Sequence, residues 1–363
     1  MSEWQEAKLG ELIQIEYGRD HKKLDNGSIP CFGSGGLMRY VNQSLYDEES
    51  ILIPRKGSLN NIMYKNNPFW TVDTMFWSII NDKLIFPKFL YYQLTLIDYT
   101  ILNVGSAVPS LTVPVINEID VNLPPLPEQK AIAEVLSSLD DKIDFLHRQN
   151  QTLEAMAEIL FRQWFVGEAD ESWEEKPLSE IATFLNGLAC QKYPPKNEID
   201  KLPVLKIREL KDGFTDNSDW ASTDVAGKYF VSNGDVIFSW SASLLIKIWD
   251  GGDCILNQHL FKVTSDDSPK WFYYLWSKYH LDQFISIARA HTTTMGHIKR
   301  GDLDEAMVFI PSEDELKQMN ELSEPLIDKI IANNCQLTSL INLRDTLLPK
   351  LMSGKVRVKM KNH

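Results

Sequence analysis

The residues of this chain that could do chemistry build no reaction centre. Asn122-Leu123-Pro124-Pro125-Leu126 comes near the Asn-Pro-Pro-aromatic string of an adenine methyltransferase, but a leucine intervenes and no aromatic follows. Glu209 and Lys211 form a lone Glu-x-Lys, a nuclease-like fragment expected by chance. His280, His291 and His297 lack the spacing of metal ligands. No Gly-x-x-x-x-Gly-Lys-Ser/Thr occurs, and no Gly-rich loop follows a strand at nucleotide-binding spacing. The four cysteines, Cys31, Cys190, Cys254 and Cys335, form no Cys-x-x-Cys and read as buried small hydrophobes. What remains is hydrogen-bonding chemistry, carried by polar loops set among glycines.

The elements that would hold those loops are written twice. Trp4, Lys8, Glu11 and Leu12 return as Trp173, Lys176, Glu180 and Ile181. Pro124, Lys142 and Leu160 return as Pro311, Lys329 and Leu347, each 187 positions on, whereas Trp4 and Trp173 are 169 apart, so the second copy is 18 residues longer in its first part. An internal repeat sets the architecture before any local reading does.

Residues 1–127 and 167–311 read as similar mixed α/β domains, with strands at 50–54, 77–80, 235–238 and 260–263 and helices beginning near Phe86 and Lys270. Between and after them lie long stretches of another texture, 128–166 and 312–354, followed by a basic tail, 355–363. In the first, Ile132, Leu136, Leu139, Ile143, Leu146, Asn150, Leu153, Ala157, Leu160 and Trp164 alternate steps of 4 and 3. That is a heptad seam, and 38 residues of helix extend about 57 Å. The second repeats it from Met319 to Leu351, opens on a Ser312/Glu315 capping box and stops at Gly354. If the helices pack side by side, chain connectivity makes them antiparallel, with one globular domain at each end. Asn150 then faces Asn333, a buried polar pair of the kind that specifies register. The expected fold is α+β: two related domains joined by an antiparallel two-helix coiled-coil spacer with a pseudo-twofold.

Composition limits the function. The net charge of −13 is spread as −4 over 1–127, −3 over 128–166, −7 over 167–311 and +1 over the remainder, so nothing resembles a strongly basic nucleic-acid grip. No apolar run reaches the roughly 20 residues of a membrane span, and Met1-Ser2-Glu3-Trp4-Gln5 lacks the regions of a signal peptide, so the cytoplasm is expected.

The order of domain, Pro-rich turn with Leu126-Pro127-Glu128-Gln129, long helix, second domain and second long helix resembles the specificity subunit of type I restriction-modification enzymes. Gly33-Ser34-Gly35-Gly36, Ile53-Pro54-Arg55-Lys56-Gly57-Ser58 and Phe69-Trp70-Thr71-Val72-Asp73 are similar to strings of its target-recognition domains. So are Leu256-Asn257-Gln258-His259 and Thr292-Thr293-Thr294-Met295-Gly296-His297-Ile298-Lys299. The resemblance implies a non-catalytic protein that reads a bipartite, asymmetric target in double-stranded DNA, one half-site per domain, with the helices fixing the gap. It implies two methyltransferase (modification) subunits as partners and a restriction subunit as an optional further one. S-adenosylmethionine, ATP and Mg2+ would then belong to the partners, with no cofactor or metal in this chain and no membrane. The competing reading is a two-headed protein-interaction scaffold with a coiled-coil spacer.

Under the DNA reading, base edges call for Arg or Lys at guanine, Asn or Gln at adenine, and Ser or Thr at either. In the first domain the candidates are Lys22, Lys23, Ser34, Arg39, Arg55, Lys56, Ser58, Asn60 and Asn61, with Arg19 and His21 beside them. In the second they are Lys206, Arg208, Ser239, Ser241, Asn257, Gln258, His259, His291, Thr292, Thr293, Thr294, His297 and Lys299, with Arg300 beside them. Ser106, Val108 and Ser110 are the first domain's counterpart of the threonine run. Trp70, Trp77, Trp271 and Trp276 read as core, and Trp164 and Phe165 as docking against the second domain.

Overall fold

The computed structural model describes residues 4–290 and 296–359. Contacts divide the chain into two compact units, one made of 1–141 with 342–363 and the other of 142–341.

In the first unit a four-stranded sheet runs in the order Ile13–Tyr17, Met75–Ile80, Ser50–Pro54, Met63–Lys65. Ser50–Pro54 is apolar through Ile51, Leu52 and Ile53, and all five of its residues are buried, so no solvent face forces alternation on it. A second sheet orders Gly36–Val41, Ile29–Gly33 and Trp70–Thr71, the last two strands parallel. Gln5–Lys8 pairs antiparallel with Asp120–Leu123 and closes the unit. Helix Pro87–Leu94 carries proline in its first turn, where no backbone donor is needed, and buries Phe89, Leu90, Tyr92 and Leu94.

The second unit repeats this plan. Its first sheet orders Thr183–Asn186, Leu260–Thr264, Val236–Ser239, Leu245–Ile248. The other orders Trp220–Ser222, Lys201–Leu205, Cys254–Leu256, Phe230–Val231, and Glu174–Pro177 pairs with Met307–Ile310. Matching backbone hydrogen bonds fixes the equivalence residue by residue. Gly18 N–H donates to Met75 O at 3.0 Å and Gly187 N–H to Leu260 O at 3.1 Å; Val72 N–H donates to Phe32 O at 3.0 Å and Asn257 N–H to Leu205 O at 3.1 Å. The offset between copies is thus 169 at Gly18, 173 at Phe32 and 185 at Val72. Most of the extra length of the second copy therefore falls after Leu205, where helix Ile207–Asp212 stands.

Two long helices, Leu126–Arg162 and Glu313–Met352, each contribute to both units. The tryptophans that mark the repeat tie down the two helix starts. The Trp4 indole N–H donates to Glu128 Oε2 at 3.3 Å and the Trp173 indole N–H to Glu315 Oε2 at 3.0 Å. Glu128 also receives Arg357 Nη1 at 2.9 Å, and Ser312 and Glu315 form the expected reciprocal cap. Gln129, fully buried, accepts from Phe86 N–H at 2.7 Å and donates to Pro124 O at 2.8 Å, so the Pro-Glu-Gln turn is an anchoring device. Gly354 ends the second helix at φ +68°, the left-handed conformation of a helix stop.

Inside the second unit the helices run antiparallel, with Ile143 and Leu146 on Leu337 and Asn150 on Asn333. Asn333 Nδ2 donates to Asn150 Oδ1 at 2.8 Å and to Gln149 Oε1 at 2.9 Å, and Asn150 Nδ2 donates to Asn334 Oδ1 at 2.6 Å. In the first unit Ile132, Ala133 and Leu136 share a core with Leu347, Leu348, Leu351 and Met352. The heptad pattern drifts at the end of the first helix, where Phe161 and Phe165 are buried rather than Leu160 and Trp164. A 3.6-residue helix walks away from a strict seven-residue repeat, and the π turn at Gln163–Gly167 adds a further offset.

Trp70, Trp77, Trp271 and Trp276 are core residues, and Phe165 packs in the second unit's core with Trp164 against it. Burial raises the thiols of Cys31, Cys190 and Cys254, whereas Cys335 lies exposed on its helix, contrary to the expectation of four buried cysteines. Among the described residues no helix is long and apolar enough to cross a membrane, and no cluster could hold a metal ion.

Candidate nucleic-acid interface

Three loops converge in each unit, and the same backbone bonds hold them. In the first unit Gly57 N–H donates to Pro109 O at 3.0 Å, Leu111 N–H donates to Arg55 O at 2.9 Å, and Lys56 forms an isolated bridge with Ser110. In the second, Ala242 N–H donates to Gly296 O at 2.8 Å, Ile298 N–H donates to Trp240 O at 3.0 Å, and Ser241 bridges His297. Arg55, Lys56 and Gly57 are thereby equivalent to Trp240, Ser241 and Ala242, and Ser110 to His297. Gly57 at φ +90° and Ala242 at φ +58° both lie in the left-handed region, and Ala242 is a non-glycine residue held there. The third loop is 72–74 in one unit and 257–259 in the other. Met75 N–H donates to Val72 O at 2.9 Å and Leu260 N–H to Asn257 O at 3.0 Å, which places Asp73 and Thr74 where the second unit has Gln258 and His259; in the first unit Arg55 and Lys56 N–H groups also reach Thr74 O, at 2.8 and 3.2 Å.

A cleft opens beside these loops in each unit. That of the first, about 670 Å³, is lined by Asp20, His21, Lys22, Ser34, Asp73 and Thr74 among others. That of the second, about 430 Å³, is lined by Gln191, Lys206, Asp219, Trp220 and Asn257 among others. Both lie at the ends of the parallel strand pair, Ile29–Gly33 with Trp70–Thr71 and Lys201–Leu205 with Cys254–Leu256.

Several residues expected at a DNA face are committed inside the protein. Arg39 Nη2 donates to Leu24 O at 2.9 Å and Asn26 Oδ1 at 3.2 Å. Asn60 donates to Asp98 at 3.2 Å and accepts Tyr99 N–H at 2.8 Å, capping a turn, and Asn61 Nδ2 donates to Ser34 O at 2.8 Å. Ser239 is buried, with its hydroxyl donating to Ser243 O at 2.8 Å. Asn257, only 6% exposed, accepts His259 N–H at 3.3 Å. Lys206 pairs with Asp219, and Arg208 with buried Glu209 at 2.6 Å, which raises the guanidinium above its ordinary value. Lys299 caps the short helix Arg300–Asp304 through its backbone N–H, which donates to Asp302 at 2.6 Å, and its side chain stays exposed at the surface.

Other expected residues stand at the surface. Lys22, Lys23, Lys56 and Ser58 are exposed, Ser34 is half-buried, and Arg55 lies 5.3 Å over the Tyr17 ring with Nη1 donating to Asp73 O at 3.1 Å. His259, which could equally have been a core histidine, is exposed. Its Nδ1 lies 3.3 Å from Ser241 Oγ and its Nε2 3.4 Å from Gln258 Nε2, and Trp240 sits between it and His297 at 5.9 and 6.2 Å. His291, Thr292, Thr293 and Thr294 lie outside the described residues. Asp73 and Thr74 were not singled out from sequence, although aligning Val72-Asp73-Thr74 with Asn257-Gln258-His259 would have found them.

The model of the type I restriction modification DNA specificity domain matches residues 1–155 and again 170–343. The type I restriction enzyme MjaIX specificity subunit of Methanocaldococcus jannaschii is 26% identical over 345 residues, covering 86% of this chain and 79% of that protein. The MjaVIII specificity subunit of the same organism is 24% identical, covering 99% and 94%. The crystal structure of an S subunit from M. genitalium shares the fold, with a TM-score of 0.67 at 16% identity over 99% of this chain and 97% of that one. With its two matched segments and its repeated domain plan, the chain belongs to the type I restriction modification DNA specificity family.

Proposed function

We propose that this chain is the non-catalytic DNA-recognition subunit of a type I restriction-modification system. It reads a bipartite, asymmetric target, one half-site per unit, and directs adenine methylation and restriction carried out by partner subunits. The observation that carries the reading is the three-loop face, built on the same backbone bonds in both units but lined by different side chains. Equivalent frames with unlike donors and acceptors suit two half-sites of unlike sequence.

The acidic chain fits a reader that relies on its partners for grip. Lys and Arg contacts to phosphate supply most non-specific affinity, and the net charge here is −13. Two methyltransferase subunits, holding S-adenosylmethionine, supply the reaction and much of the phosphate contact. A restriction subunit with ATP and Mg2+ adds cleavage. Linking two weak readers raises avidity through effective concentration.

Genome-wide methylation sequencing tests the proposal. Deleting the chain abolishes a split adenine-methylation motif; exchanging 167–311 for the corresponding domain of a relative changes one half only. Motifs left intact by the deletion would favour the protein-scaffold reading instead.

A further inference from the structure

The matched faces allow the two readers to be compared position by position, because the backbone frame is common and only the side chains differ. At the first position Lys56 in one unit stands where Ser241 stands in the other; at the second, Asp73 stands where Gln258 stands; at the third, Thr74 where His259 stands. Lys56 and Asp73 belong to neighbouring loops, since Lys56 N–H donates to the carbonyl of Thr74 at 3.2 Å. Both are exposed, and neither the ammonium nor the carboxylate has a hydrogen-bond or ion-pair partner among the described residues. Adjacent loops thus present an exposed cation and an exposed anion, a donor and an acceptor open to something outside the protein.

Resting on the DNA-recognition reading above, we infer that these positions select the class of base pair in each half-site: Lys56 with Asp73 a G·C pair, Gln258 with Ser241 an A·T pair. In the major groove guanine offers two acceptors, N7 and O6, which suit Lys56, while its partner cytosine offers the N4 donor, which suits Asp73. The two side chains together match both bases of one pair. In the second unit no cation or carboxylate occupies the equivalent places. Gln258 carries one acceptor and one donor group, the complement of adenine N6 and N7, and the Ser241 hydroxyl serves either role.

His259 is a positioning residue in this scheme. Its two ring nitrogens lie within reach of Gln258 Nε2 at 3.4 Å and Ser241 Oγ at 3.3 Å. With the Gln258 amide donating to Nε2, Nδ1 carries the proton and donates to Ser241 Oγ, so one tautomer orients both reading groups. Trp240, stacked on Phe261 at 5.8 Å with its indole N–H on Asn186 Oδ1 at 3.1 Å, gives the imidazole a fixed wall. The left-handed Ala242 next to Ser241 fits a loop held for a purpose, since strained backbone concentrates at functional positions.

The experiment uses the whole methyltransferase complex in a host without other adenine methylation, with motifs read by single-molecule sequencing. Lys56→Ser with Asp73→Gln should relax a G·C requirement in one half of the motif by about 5- to 150-fold and leave the other half unchanged. Gln258→Ala should relax an A·T requirement in the other half alone. His259→Ala should relax that same A·T position, and by less when combined with Gln258→Ala, which leaves Ser241 as the remaining group it orients. Conservative variants guard against loss of folding: Lys56→Arg keeps the guanine requirement, and Asp73→Asn loosens the same base pair. Unchanged motifs, changes in both halves, or methylation weakened without any relaxed position would each overturn the base-selection assignment while leaving DNA recognition standing. Failure of the DNA-recognition reading itself is separate: the split motif would then persist when the chain is deleted.

Discussion

Ala242 and Gly57 occupy the same place in the two copies, and exchanging their types gives a controlled measurement of backbone strain. A non-glycine residue in the left-handed region costs about 1–2 kcal/mol. Glycine there removes that cost but loses about 0.4–1 kcal/mol through the greater freedom of its unfolded chain. Ala242→Gly should therefore stabilise the second unit by about 0.5–1 kcal/mol. Gly57→Ala acts in the opposite sense and more strongly. Its φ of +90° lies further from the left-handed minimum than the +58° of Ala242, and an added Cβ would stand 3.0 Å from Ser34 Oγ. A loss of about 1–2 kcal/mol is expected in the first unit. For units of this size each kcal/mol moves Tm by about 2–4 °C, so calorimetry should record a rise of about 1–4 °C for Ala242→Gly and a fall of about 2–8 °C for Gly57→Ala. A destabilised Ala242→Gly protein, or a Gly57→Ala protein as stable as the parent, would refute the strain argument.

Three further outcomes follow from buried polar contacts. Asn333→Ala should cost about 1–3 kcal/mol in denaturant unfolding, because Asn150 and Gln149 lose the donor they share; a neutral result would mean that water replaces it freely. Trp173→Phe keeps the ring but removes the bond to Glu315, and should cost about 1 kcal/mol, with Trp4→Phe behaving alike at Glu128. Burial pushes the Glu154 carboxyl up, but hydrogen bonds from Lys278 at 2.6 Å and Tyr274 at 2.7 Å outweigh it and leave the group below its ordinary value. A depressed carboxyl contributes stability above its unfolded value that is lost as pH falls through the folded one. Glu154→Gln should accordingly flatten the acid limb of the stability profile below about pH 4.5; superimposable acid limbs would contradict the assignment.

The repeat, the two long helices and the strands around Ile51 to Ile53 were legible in the sequence because periodicity and burial write themselves into residue type. The antiparallel contact of Asn150 with Asn333 followed from chain connectivity and the offset alone. Loop chemistry was less legible. Arg39, Asn60, Ser239 and Asn257 have the right groups for base edges, but composition does not reveal that nearby carbonyls and amides already engage them. Asp73 stands in a family-like string with no local feature that marks it as a reading group, and only the bond from Lys56 N–H to Thr74 O shows that its loop adjoins that of a lysine. Some of those contacts are local, as at Ser239 and Asn257, and others join separate loops, as Asn60 joins Asp98, and residue type distinguishes neither from a side chain left open to a ligand.

The division of the chain into 142–341 and its two flanking segments has a consequence in time. The second unit is one unbroken stretch, available for folding as soon as residue 341 has left the ribosome. The core of the first unit includes Leu351 and Met352, both nearly inaccessible to solvent, so it stays incomplete until those residues have been made. Domains commonly fold in the order of their synthesis. Here the segment made first must wait, with Ile132, Ala133 and Leu136 incompletely covered, for residues made after the whole second unit.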